Sequence, residues 1–148
     1  RALIRRKARR GATAQKGRDP PPGRGPSAMD WSDFIDETNA QLGALRPAAP
    51  EVAAGFSALA KAAGRRGALD PKTKELIALA IGIDARCDGC IAMHVKALIR
   101  LEASREEIVE TIGMAVYMGG GPSMMYGARA LDAFDRLSAG GAGARAAE

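Results

Sequence analysis

"ELIALAIGIDARCDGCIAMH" runs from Glu75 to His94 and holds both cysteines of the 148-residue chain, Cys87 and Cys90, with its only histidine, His94. The stretch reads as two helices joined by a short connection. Upstream, Asp70 is an N-cap and Pro71 sits at the first helical position, which is a strong start signal. The helix they open carries Glu75 in its second turn and should end near Gly82. Its apolar run, Leu76 to Ile83, stops at Asp84 and falls far short of the roughly 18 residues that a membrane span needs. After "DARCDGC" a new helix should start around Asp88 and continue to about Glu102, with Ile91, Val95, Leu98 and Leu101 at helical spacing.

The pattern extends in both directions. Asp30 or Ser32 can cap a helix through Phe34, Ile35 and Leu42, interrupted by Pro47 and Pro50. A second helix is expected from about Glu51, with Val52, Phe56, Leu59 and Ala63 on one face, followed by a turn at Gly64 to Gly67. Ser104 and Glu107 form a capping box for a helix through Ile108, Ile112, Val116 and Tyr117. That helix should stop at the glycines Gly119 to Gly121. Pro122 and Ser123 open a last helix with Met124, Met125, Ala128, Leu131 and Phe134, and the Gly- and Ala-rich stretch from Ser138 reads as frayed. No strand pair and no Gly-rich phosphate loop appears. The expected fold is an all-α bundle of five to six helices. Composition agrees: 47% of residues are hydrophobic but only 4% aromatic, so Ala, Leu, Ile, Val and Met must fill the core.

Length favours one domain. The net charge of +5 is unevenly spread. Residues 1–28 hold nine Lys/Arg and one acid, a charge of +8, so residues 29–148 carry −3. Residues 1–28, rich in Arg, Pro and Gly without apolar period, are expected to be disordered. They read best as translated upstream nucleotides or a cloning remnant, because Met29 opens an ordinary amphipathic stretch. A basic nucleic-acid arm lacks interleaved aromatics, and a transit peptide lacks the Ser content and amphipathic helix. The expected organisation is a basic tail over 1–28, a helical domain over 29–138 and a flexible tail over 139–148. Neither nucleic acid nor membrane is an expected partner.

Two cysteines three apart close too small a loop to staple the fold. In a reducing compartment such a pair reads as metal-binding or catalytic, and the cytoplasm is the expected location. Cys90 and His94 are four apart and share a helix face. Cys87 lies at or before the helix N-terminus, where unpaired N–H groups and the helix dipole lower a thiol's pKa. His94 can take a proton from Cys90 directly or through water. Glu75, one helix earlier, can reach His94 and orient it, giving nucleophile, base and orienting carboxylate. Zinc is the rival reading, with Cys87, Cys90 and His94 as ligands and Glu75 or water as the fourth. A structural zinc site usually draws a second ligand pair from elsewhere, and the chain has no other Cys or His. A c-type haem site fails because Ile91 follows the second Cys. A thioredoxin-like site fails for want of a βαβ pattern. A redox dithiol is the better physical reading, with small buried cysteines and a surface Glu75 as the bland alternative.

The spacing of Glu75, Cys87, Cys90 and His94 resembles the alkylhydroperoxidase D-like branch of the carboxymuconolactone decarboxylase family. The run "GGGPSMMYGARALDAF" (Gly119 to Phe134) is similar to that family's closing helix. The resemblance covers roughly residues 51 to 137 and implies an all-α fold assembled as a homo-oligomer, often a trimer or hexamer. It implies a thiol-dependent peroxidase or disulfide oxidoreductase. Cys90 would be the thiol activated by the His94–Glu75 relay, and Cys87 its disulfide partner. Hydroperoxide would be the substrate and a dithiol such as a lipoyl group the electron donor, with no resident cofactor or metal. The family's better-equipped peroxidases place a His between the cysteines, where this chain has Asp88 and Gly89. Asp88 adds negative charge near both sulfurs, which disfavours thiolate and leaves general thiol redox work or redox sensing open. The decarboxylase branch lacks the cysteine pair, so lactone decarboxylation is the weaker reading. Met118, Met124 and Met125 are expected to fill an oligomer or core contact.

Overall fold

The computed structural model describes residues 29–145, with side chains to residue 140; the expectations for residues 1–28 lie outside it. Six helices follow one another: α1 (Trp31–Ala48), α2 (Pro50–Ala63), α3 (Pro71–Asp84), α4 (Asp88–Arg100), α5 (Arg105–Gly119) and α6 (Gly121–Arg145). No strand occurs among the described residues. The fold is all-α, as the periodicity implies.

Local chemistry sets most boundaries. Asp30 caps α1 by accepting from the Ser32 and Asp33 amides. Asp70 caps α3 through the Thr73 amide and hydroxyl. The capping box of α5 is complete: Ser104 Oγ accepts from the Glu107 amide at 3.2 Å, and Glu107 Oε2 accepts from the Ser104 amide at 2.7 Å. Pro47 does not end α1 as the sequence suggests. It lies in the last turn, and the helix closes at Ala48. α6 continues to Arg145, past Ser138 where composition suggests fraying.

α3 and α4 end in the same way. After α3, the Arg86 amide donates to Ile83 O and the Cys87 amide to Gly82 O, with Arg86 at φ 56°. After α4, the Glu102 amide donates to Ile99 O and the Ala103 amide to Leu98 O, with Glu102 at φ 55°. Both are Schellman motifs with a charged residue in the left-handed position usually given to glycine. A sequence search for C′ glycine passes over them.

The core lies between α3, α4, α5 and α6. Leu79, Ile83, Ile91, Val95, Leu98, Ile108, Ala130 and Ala133 are fully buried there. α1 closes one side with Trp31 and Ile35. Trp31 packs edge-on to Phe34 and donates its indole N–H to Asp132 on α6 at 2.8 Å. α2 departs from expectation. Its apolar positions Val52, Phe56 and Leu59 are 73%, 71% and 65% exposed, because α2 touches only the end of α1 and not the bundle. Met118, Met124 and Met125 are also mostly exposed, so they do not fill the core of this chain.

The α3–α4 packing leaves little room at one point. A methyl added to Gly82 would lie 3.1 Å from Cys90 Cβ, closer than side chains normally approach. Gly82→Val is expected to force α4 away from α3 at Cys90 and cost about 1–3 kcal/mol by overpacking, read as a lower urea midpoint at unchanged slope. Three carboxyls that cap or join helices have pKa values below the ordinary carboxylate range. Hydrogen bonds from Thr73 lower Asp70. The Lys72 ammonium on α3, with the Ser104 amide, lowers Glu107. Burial pushes Asp132 up, but bonds from Arg136 and Trp31 outweigh it. A depressed carboxyl contributes stability above its unfolded pKa and loses it as pH falls through the folded one. Thermal melts should therefore show Tm holding at neutral pH and falling as pH drops from about 5 to below 4; Glu107→Gln should flatten that fall.

Candidate functional site

The connection between α3 and α4 builds the site. The Schellman motif that ends α3 uses the Cys87 amide as its last donor. The same Cys87 is the N-cap of α4, in extended conformation, and its Sγ accepts from the Cys90 amide at 3.1 Å. One residue thus ends one helix and starts the next. This holds Cys87 at the N-terminus of α4, where free amides favour a negative sulfur. Cys90 follows at the third helical position. The two are joined as a disulfide with Cα atoms 5.2 Å apart, within the usual span of such bonds.

His94 lies one turn beyond Cys90. Its Nδ1 is 2.7 Å from Glu75 Oε2 on α3. The side chains are about one-third exposed, at 34% and 31%. A carboxylate at Nδ1 fixes the ring and its tautomer and leaves Nε2 for proton exchange. Four residues from two helices and one turn therefore lie together: a disulfide-bonded cysteine pair, and a histidine one turn on that is paired with a carboxylate. All four candidate residues fall in this cluster.

Asp88, the added negative charge between the cysteines, has a cationic partner. Arg129 of α6 grips it at two points. Nη2 donates to Oδ2 at 2.8 Å. Nε stands 2.8 Å from Oδ1, off hydrogen-bond alignment, with both atoms shielded from water. The guanidinium also lies 5.6 Å from the centre of the Tyr126 ring, a cation–π distance. Sequence reading missed Arg129 because nothing local links positions 41 apart. The available signal is the i, i+3 pair Tyr126 and Arg129, which share one face of α6.

A second polar tie lies on the far side of the turn. Buried Ser123 donates its hydroxyl to Asp84 at 2.9 Å and joins the end of α3 to the start of α6. An apolar groove of about 300 Å³ lies between the end of α1 and α2, lined by Leu42, Leu45, Val52 and Phe56. None of its walls belongs to the cysteine cluster.

Comparison with known proteins agrees with this architecture. The carboxymuconolactone decarboxylase family profile matches residues 50–133. An uncharacterised protein of Cupriavidus necator is 40% identical over 110 residues, spanning 74% of this chain and 97% of its own. An uncharacterised protein encoded in the cox locus of Paracoccus denitrificans is 36% identical over 103 residues, 70% of this chain and 93% of its own. The crystal structure of the apo form of a carboxymuconolactone decarboxylase family protein from Legionella pneumophila superposes with a TM-score of 0.71 at 53% identity, covering 73% of this chain and 96% of that one. The chain belongs to the carboxymuconolactone decarboxylase family.

Proposed function

We propose that the protein is a thiol-dependent oxidoreductase of the alkylhydroperoxidase D-like type, which reduces hydroperoxides by a Cys87–Cys90 dithiol–disulfide cycle. The observation that carries this reading is the disulfide one turn before a histidine whose Nδ1 is held by Glu75. His94 takes the proton of Cys90 through Nε2. The Cys90 thiolate attacks the peroxide, breaks the O–O bond, and gives a sulfenic acid and an alcohol. The Cys87 thiol displaces water from that sulfur and forms the disulfide. An external dithiol, such as a lipoyl group, restores both thiols by exchange and leaves as its own disulfide. No resident cofactor enters the cycle, and the reading places it in a reducing compartment such as the cytoplasm.

Zinc and the disulfide compete for the same two sulfurs, so one experiment separates them. Free thiols are counted on the reduced protein before and after one equivalent of hydroperoxide, with metal content measured on the protein as purified. The expected result is loss of two thiols to an intramolecular bridge without stoichiometric zinc. Two thiols that survive peroxide, or one zinc per chain, overturn the reading. Cys90→Ser is expected to abolish peroxide turnover. Glu75→Gln, which leaves the base present but unoriented, should slow it by roughly 10- to 100-fold, the lower part of the general acid–base range. Slow turnover coupled to a change of assembly on oxidation would instead favour a redox sensor.

Self-association belongs to the same proposal. Val52, Phe56 and Leu59 on α2, with Tyr117 and Met118 at 79% and 78% exposure on α5, leave large apolar side chains in water, and such surface marks interaction sites when it is contiguous. A trimer or hexamer would cover it. Sedimentation of the wild type should show the assembly, and Phe56→Asp with Leu59→Asp should shift it towards smaller species while helical CD is retained.

A further inference from the structure

The Arg129–Asp88 pair is a feature of the dithiol that the proposed cycle does not use. It ties α6 to the first turn of α4, and the cysteines are the two residues that bracket that turn. Asp88 follows Cys87 directly and precedes Cys90 by two residues. Left unpaired, its carboxylate would repel a thiolate on either sulfur and offset the helix N-terminus. A guanidinium with two contacts at 2.8 Å answers that charge in place.

We propose that Arg129 is a positioning residue that sets the acidity of the cysteine pair by neutralising and orienting Asp88. The proposal rests on the reading of Cys87 and Cys90 as a redox dithiol. Arg129 touches neither peroxide nor the reacting sulfur in this role. It cancels the Asp88 charge and holds the carboxylate on the α6 side of the turn. Tyr126 keeps the guanidinium in place from its other neighbour.

Other charged groups on the surrounding elements are largely engaged elsewhere. On α3, Glu75 holds His94 and Asp84 accepts from Ser123. On α6, Asp132 is bonded to Arg136 and Trp31. On α1, whose Thr38 methyl would be 3.9 Å from a side chain at Gly89, Glu37 is bonded to Gln41. Arg86, in the connection itself, is the remaining charge close in sequence. His94 remains the base of the cycle, and its effect is common to all variants below.

The test reads thiol acidity directly and needs no peroxide turnover. The full chain is reduced with a phosphine, and the rate of iodoacetamide alkylation is followed from pH 5 to 10, with a thermal melt of each variant beside it. Arg129→Met should move the alkylation profile of the more reactive thiol to higher pH by about one unit, the lower end of the range for losing an opposite charge nearby. Asp88→Asn should move it to lower pH. The double variant, with neither charge, should return close to the wild-type profile, and Arg129→Lys should recover part of the shift. A structural role alone predicts something else. Both single variants would lower Tm and leave the alkylation profiles coincident with wild type, and that result overturns the proposal. A double variant whose profile stays displaced as far as that of Arg129→Met overturns it as well. If the profiles move as stated while the wild type fails to consume hydroperoxide, the peroxidase reading falls and the role of Arg129 stands.

Discussion

The rest of the site depends on a single residue serving two helix termini. Cys87 gives its amide to the end of α3 and its sulfur to the start of α4. Each helix end leaves orphan backbone groups that need partners, and here one short turn satisfies both. That economy fixes the angle between α3 and α4. The angle in turn brings Glu75, twelve residues before Cys87, to within hydrogen-bond distance of His94, seven residues after it. Gly82 enforces the same geometry from the other direction, since no side chain larger than hydrogen fits against Cys90 at ordinary contact distance. The Glu75–His94 hydrogen bond is a consequence of how the two helices are joined.

The turn also explains why the disulfide contributes little to holding the fold together. A bridge across three residues closes so small a loop that the chain-entropy argument assigns it only roughly 2 kcal/mol. The buried positions that hold the bundle, from Leu79 and Ile83 to Ala130 and Ala133, lie along the helix interiors. The Schellman hydrogen bonds that end α3 join backbone groups alone; the capping bond is the one that uses a sulfur, with Cys87 Sγ accepting from the Cys90 amide. A disulfide placed at a cap is local to its turn; the same bridge across two core helices would not be.

Much of this was legible in the sequence because it rests on short-range rules. Asp70 with Pro71, and Ser104 with Glu107, mark helix starts through bonds reaching only three residues ahead, and the structure shows both. The Glu75, Cys87, Cys90 and His94 cluster was legible for a related reason: two helices joined by three residues have little freedom in how they pair. What escaped was either long-range or against propensity. Arg129 meets Asp88 from 41 residues away, and Trp31 meets Asp132 across 101. Arg86 and Glu102 take a conformation that intrinsic preference gives to glycine, so neither turn announces itself. Pro47 carries a break signal, but a proline near the end of a helix disrupts less of the hydrogen-bond ladder than one in the middle.

α2 shows where pattern and packing part. Val52, Phe56 and Leu59 repeat at the helical interval, and the periodicity correctly says helix. Periodicity also says that the apolar face should be covered, and within this chain it is not. Amphipathic spacing marks an apolar face; it does not report what covers it. The bundle of α3 to α6 needs nothing from α2, since its interior is already closed by its own side chains and by Trp31 and Ile35 of α1. An apolar face that a complete core does not require, on a helix that its own chain leaves in water, is the physical ground for treating assembly and chemistry as separate properties of this fold. The cysteine cluster is built wholly from α3, the turn and α4, so its geometry is already set in the single chain.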